Sequence, residues 1–135
     1  SDVCSSDLNS AWQYVFKSIM KQRKHLQEIK FRLWIFQDSE KFLGIGRIEL
    51  LELIHETGSI SGAAKKMKMS YRQAWQMVTD MNRQAGKPFV EKKLGGKSGG
   101  GAQVTQAGLA AISTFRKVEK QVSGYVQKEF KKIKF

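Results

Sequence analysis

Apolar and polar positions follow two rhythms along this chain, and each change of rhythm marks an element. Phe31, Leu33 and Ile35 alternate with Arg32, Trp34 and Phe36, a β-rich run that ends at Gln37-Asp38-Ser39-Glu40 and can return through Lys41 to Leu43. That predicts an N-terminal β-hairpin. Gly44-Ile45-Gly46 interrupts it, and from Arg47 the spacing of Ile48, Leu51 and Ile54 is helical, with Gly58 suited to the position just past a helix end. Ser59 can cap a second helix whose inner face is Ile60, Ala63, Ala64 and Met67, the two alanines being small where another helix must approach. After a Lys68-Met69 turn, Ser70 caps a third helix, with Gln73 three residues on as in a capping box. Tyr71, Ala74, Val78, Met81 and Ala85 assign one face of that helix to the core, and Arg72, Gln76, Thr79 and Arg83 point outward.

Ala85-Gly86-Lys87-Pro88 closes the third helix, and Phe89 to Leu94 reads as a strand. The loop Gly95 to Gly101 holds five glycines in seven residues, a tip able to approach another backbone closely, and Ala102 to Val104 returns. Thr105 can cap a last helix with apolar positions at Leu109, Ile112, Phe115, Val118, Val122, Val126, Phe130 and Ile133. That stripe is longer than a small domain needs for its own core, so Phe115, Val118, Val122 and Val126 are expected at a dimer contact. The expected fold is mainly α with small β: a winged helix-turn-helix after an N-terminal β-hairpin and before a long C-terminal dimerisation helix.

Length allows one core rather than two. Apolar content of 41% and charged content of 27% are those of a chain that folds. The net charge of +12 is the abnormal quantity, and it points toward a polyanion. Residues 1–56 carry 8 Lys/Arg against 8 Asp/Glu, residues 57–104 carry 9 against 2, and residues 105–135 carry 7 against 2. The surplus therefore sits in the helix-turn-helix, the hairpin and the final segment, which are the parts that would face phosphate.

In a helix-turn-helix the first helix lies across the DNA backbone while the start of the second enters the major groove. Ser70, Tyr71, Arg72, Gln73 and Gln76 are then the residues near base edges, in a recognition helix spanning 70–85. Ser59, Ser61 and Lys65 on the preceding helix are also expected at DNA. A wing over 89–104 needs cations beside a flexible tip, and Lys92, Lys93, Lys97 and Ser98 supply donors to phosphate. Trp75 reads as a packing residue at the edge of the core face, whereas Tyr71 can pack and still present its hydroxyl.

Enzymatic and metal readings find little support. Gly96-Lys97-Ser98 is not a nucleotide loop, because that motif needs glycine where Glu91 stands and a helix directly after the serine. His25 and His55 lie on different elements without a partner at ligand spacing, so neither a metal nor another cofactor is expected. Glu49, Glu52 and Glu56 read as a solvated helix face rather than paired catalytic carboxylates. Lone Cys4 cannot make an internal disulfide, which fits a cytoplasmic location, and no stretch reads as a membrane span or signal peptide. Residues 1–29 are expected to be a leader in which helix is allowed: Ser1 to Leu8 look foreign to the rest, and Met20 is a plausible true start. Residues 30–127 form the DNA-binding domain with its dimerisation helix, and 128–135 a basic tail.

Several separated segments resemble one family. Gly44-Ile45-Gly46-Arg47, Leu50-Leu51, Gly58-Ser59-Ile60-Ser61-Gly62-Ala63-Ala64, Met69-Ser70-Tyr71-Arg72-Gln73-Ala74-Trp75, Met81-Asn82 and the run from Gly95 to Ala102 are similar to the N-terminal domain of the molybdate-dependent regulators called ModE. That domain is related to the winged helix of LysR-type regulators. The resemblance covers roughly residues 30–125 and implies a transcription factor that binds a palindromic operator as a homodimer. It carries Ser70 to Gln76 over as the base-reading element and Lys97 to Gly101 as the wing tip, with the N-terminal segment and last helix building the dimer. The ModE regulators continue into oxyanion-binding domains, so molybdate is not expected to bind this chain. The competing class is a winged-helix protein-interaction scaffold with only nonspecific nucleic-acid affinity. A small-molecule switch would need a pocket that no motif places.

Overall fold

A computed structural model of the chain describes residues 3–22, 27–93 and 101–134. The elements run α1 (Val3–Gln22), β1 (Trp34–Gln37), β2 (Glu40–Gly44), α2 (Ile45–Thr57), α3 (Ile60–Lys66), α4 (Tyr71–Ala85), β3 (Val90–Lys93), β4 (Gly101–Val104) and α5 (Gln106–Phe130). This is a mainly helical fold with two separate antiparallel hairpins, β1–β2 and β3–β4. The N-terminal segment is helical over α1, whose Leu8, Trp12 and Phe16 are exposed. None of the described helices is long and apolar enough to cross a membrane.

The first hairpin turns on Asp38-Ser39, both with positive φ (50° and 65°), the two-residue geometry whose twist matches paired strands. β1 begins at Trp34 rather than Phe31 because its partner runs out: Trp34 pairs with Gly44, the last residue before α2. The sequence places the start of α2 at Arg47, two residues too late. Extended Gly44 caps the helix, and Arg47 folds back from its first turn. Its Nη1 donates to Lys41 O (2.8 Å), Phe42 O (2.7 Å) and Gln84 Oε1 (2.9 Å), joining β2, α2 and α4.

α2 is the central helix. Ile48, Leu50, Leu51 and Ile54 are all buried, a wider arc than the expected Ile48, Leu51 and Ile54, because α3, α4, α5 and both hairpins pack around it. Ala63, Ala64 and Ala74 are buried at the α2–α3–α4 junction, where side chains this small let the helices approach. Gly58 ends α2 with φ 75°, its N–H on Ile54 O, and its own carbonyl accepts from Ala102 N at 2.9 Å. That bond fastens β4 to the turn before α3.

α5 starts tightly. Thr105 accepts from Gly108 N, and its own N–H and hydroxyl bind Phe89 O (2.9 Å) and Pro88 O (2.6 Å). A Cβ on Gly108 would stand 2.5 Å from Phe89 O, so glycine is what lets the helix lie this close to β3. Arg116 reaches back to Glu52 (2.6 Å) and to Glu119 (2.9 Å), so Glu52 is an ion-pair partner rather than a merely solvated carboxylate. Burial works against the Arg116 charge, but the hydrogen bonds and charges of Glu52 and Glu119 outweigh it and raise its pKa.

The apolar stripe of α5 divides in two. Phe115 is 1% exposed in the core of its own chain, so its side chain is not available to a second copy, contrary to the expectation that it faces a dimer. The surplus starts one turn later, at Val118 and Val122, with Val126 half-buried beyond them. Lys128, expected to open a basic tail, is helical. Helix continues to Phe130, which leaves Lys128 in its last turn.

Candidate nucleic-acid interface

The α3–turn–α4 unit is set by local hydrogen bonds. Ser59 Oγ accepts from Gly62 N (2.9 Å), the α3 chain closes through Met69 N on Ala64 O (3.0 Å), and Lys68 takes φ 55° in the turn. Ser70 Oγ then accepts from Gln73 N at 3.1 Å and starts α4. Four backbone donors at a helix start lack partners within the helix, and each serine satisfies one of them.

This geometry sorts the expected contact residues. Ser59 is half-buried, with its oxygen committed to the cap, whereas Ser61 and Lys65 stand exposed on α3. Tyr71, Arg72 and Gln73 are exposed on the first turn of α4, and their side chains have no hydrogen bond or ion pair among the described residues. Gln76 donates to Asp80 Oδ1 (3.0 Å), an exposed bond that DNA could replace. Thr79 donates to Trp75 O (2.9 Å), which ties its hydroxyl to the helix backbone. Arg83 pairs with Glu40 of β2 at 3.2 Å, so it braces the first hairpin instead of pointing free.

Trp75, read as a packing residue, is corrected: it is 48% exposed. Tyr71, placed both on the core face and near the base edges, is 56% exposed, so its place on the core face is corrected. Both sit near the start of α4, at the rim of a cleft of about 350 Å³ between α4, α3 and the β3–β4 hairpin. Ile60, Ser61, Val78, Lys92, Lys93 and Ala102 are among its other walls.

The hairpin is held on two sides. Ala102 N on Gly58 O ties it to the turn before α3, and Asn82 ties it to α4. Asn82 Oδ1 accepts from Phe89 N (2.8 Å) and Val90 N (3.2 Å), while its Nδ2 donates to Val90 O (2.9 Å). Asn82 positions the wing, a role that composition and periodicity do not reveal. The sequence signals are a polar residue beside core Met81, seven positions before Phe89, and the place of Met81-Asn82 among the segments that carry the family resemblance. Lys93 pairs with Gly101 and Lys92 with Ala102 at the loop end of the ladder. Lys97 and Ser98, the expected tip donors, lie outside the described residues.

Charge follows the same division. Glu91 accepts from Gln103 (2.9 Å), and Asp80 lies 3.9 Å from Arg47 and 4.0 Å from Arg83. The two carboxylates of this region are thus engaged within the fold, while Lys65, Arg72, Lys92 and Lys93 face solvent. Ser61, Tyr71 and Lys93 meet at the cleft; Ser70, Arg72, Gln73 and Gln76 share the exposed start of α4. Val118, Val122 and Val126 lie on a different element, α5. Among the described residues no three His, Cys, Asp or Glu side chains come together as a metal would require.

Residues 45–109 match the family described as bacterial regulatory helix-turn-helix protein, lysR family. The chain is 44% identical over 77 residues to the molybdenum-pterin-binding protein MopA of Rhodobacter capsulatus, covering 57% of this chain and 29% of that protein. It is 38% identical over 94 residues to the transcriptional regulator ModE of Yersinia pestis, covering 70% of this chain and 34% of that one. It therefore spans about a third of the length of these curated relatives. Among solved structures, the CbnR DNA-binding domain in complex with DNA superposes with a TM-score of 0.50 at 17% identity, over 62% of this chain and 91% of that one, a likeness of fold.

Proposed function

We propose that this chain, whose residues 45–109 match the lysR family of bacterial regulatory helix-turn-helix proteins, is a sequence-specific double-stranded DNA-binding regulator of transcription. It acts as a homodimer on a palindromic operator, with residues 70–85 in the major groove and the wing, 89–104, on flanking backbone. The observation that carries this reading is the exposed start of α4, where Arg72 and Gln73 point outward unpaired beside a basic hairpin. Arginine can bond guanine bidentately and glutamine adenine, while lysines on the hairpin meet phosphate without regard to sequence. Ser61 and Lys65 on α3 supply further backbone contacts. Two copies joined through α5 would place their α4 helices in successive major grooves about 34–36 Å apart. No metal, cofactor or oxyanion is assigned to this stretch, and a melting temperature that rises with molybdate would overturn that part.

Selection of bound duplexes from a random pool tests the reading. The intact chain should enrich one palindrome, and Arg72→Ala should weaken it by about 1–3 kcal/mol and relax the base preference at one position per half-site. If bulk DNA displaced the enriched duplex as well as the duplex itself does, the protein would be a docking scaffold with nonspecific affinity instead.

A further inference from the structure

We propose that Tyr71 and Trp75 form an apolar reader of thymine methyl groups, so that the operator carries thymine at base pairs facing the first two turns of α4. This rests on the DNA-binding reading above. The two residues stand four apart on α4 and so share one side of the helix, one turn above the other. Both line the cleft that Lys92 and Lys93 wall from the hairpin side. Each ring is about half exposed, while Ala74 and Val78 of the same helix are buried, so neither ring is spent on the core. Among the described residues neither ring stacks on another aromatic.

The chemistry of the groove limits what such rings can touch. Every base presents donors or acceptors on its major-groove edge, and the one apolar group there is the C5 methyl of thymine. A ring laid against N7, O6 or an exocyclic amine strips water from a group with which it cannot bond, which is unfavourable. Laid against a methyl, it removes apolar area of both partners from water. On the hairpin side of the cleft Lys92 and Lys93 are available to phosphate, while Glu91 beside them accepts from Gln103 (2.9 Å), so two cations can hold a strand against the rings.

The enriched operator, remade with deoxyuridine in place of one thymine at a time, loses a methyl and keeps every hydrogen-bonding group. The intact chain should then bind about fourfold more weakly at one or two positions per half-site, the effect of one buried methyl. The loss at the position that faces Trp75 should vanish in Trp75→Ala, and Trp75→Gln, which keeps bulk in the cleft, should turn the preference there toward adenine. Melting temperatures of both variants show whether they remain folded. Equal binding of uracil and thymine operators, with Arg72→Ala still relaxing the selected site, would sink the thymine reader and leave the DNA-reading assignment standing. A uracil loss undiminished in both Trp75→Ala and Tyr71→Ala would also overturn it. If no duplex were enriched at all, both would fall.

Discussion

Ser59 and Ser70 stand one residue ahead of α3 and α4, and each hydroxyl accepts from the backbone N–H three residues on. Ser59 is half-buried and Ser70 exposed, so the same local chemistry leaves them differently placed toward a ligand. Ser59→Ala should cost about 1 kcal/mol of stability, the usual value of a serine cap, in urea denaturation. Ser59→Asp should restore the cap but set a carboxylate beside the side of α3 proposed above to meet phosphate. Recovered stability with weakened DNA binding is the expected pair of results; unchanged binding would remove Ser59 from the interface. Both caps were legible in the sequence because a cap depends on three or four consecutive residues. Exposure of the Trp75 ring was not, and that of Tyr71 only in part. Periodicity reports the angle of a side chain around the helix axis, not whether the neighbouring helix extends far enough to cover it.

At the scale of elements, the wing depends on one side chain of α4. Asn82 satisfies Phe89 N and both backbone groups of Val90, so Asn82→Ala should cost about 1–3 kcal/mol, because those part-buried groups lose their partners. If the clamp aims the hairpin, the variant should also bind DNA with a shallower salt dependence, since Lys92 and Lys93 lose their register on phosphate. Asn82→Asp keeps the acceptor and should recover part of both effects. A stability loss with an unchanged salt slope, measured by titration at several salt concentrations, would show that the wing is held without Asn82. The hairpin itself was readable from Pro88, the strand-like runs and the glycines between them. Its anchorage was not, because Asn82 with Val90 and Gly58 with Ala102 are bonds between residues 8 and 44 positions apart.

For the whole molecule the question is how two reading heads would be joined. Val118 and Val122 are 40% and 37% exposed on α5, beyond the point where the helix leaves its own core. Val122→Asp should convert the proposed dimer to a monomer in sedimentation equilibrium and lower operator affinity, with the fold of each copy intact, since two linked contacts bind more tightly than one. A variant that stayed dimeric would place the interface elsewhere. Phe115→Ala should instead cost about 3–5 kcal/mol of stability, as truncation of a buried aromatic does. By itself the sequence determined the order of elements, the three serine and threonine caps, the glycine ends and the uneven charge, because each depends on neighbours in the chain or on a sum along it. Tertiary structure alone decided that Leu50 is core, that Phe115 belongs to its own chain, and that Arg47 and Asn82 act as polar ties. It also decided that two aromatic rings of α4 remain exposed. These depend on which surfaces meet at distances no local pattern encodes, and on where along each helix the covering neighbour stops.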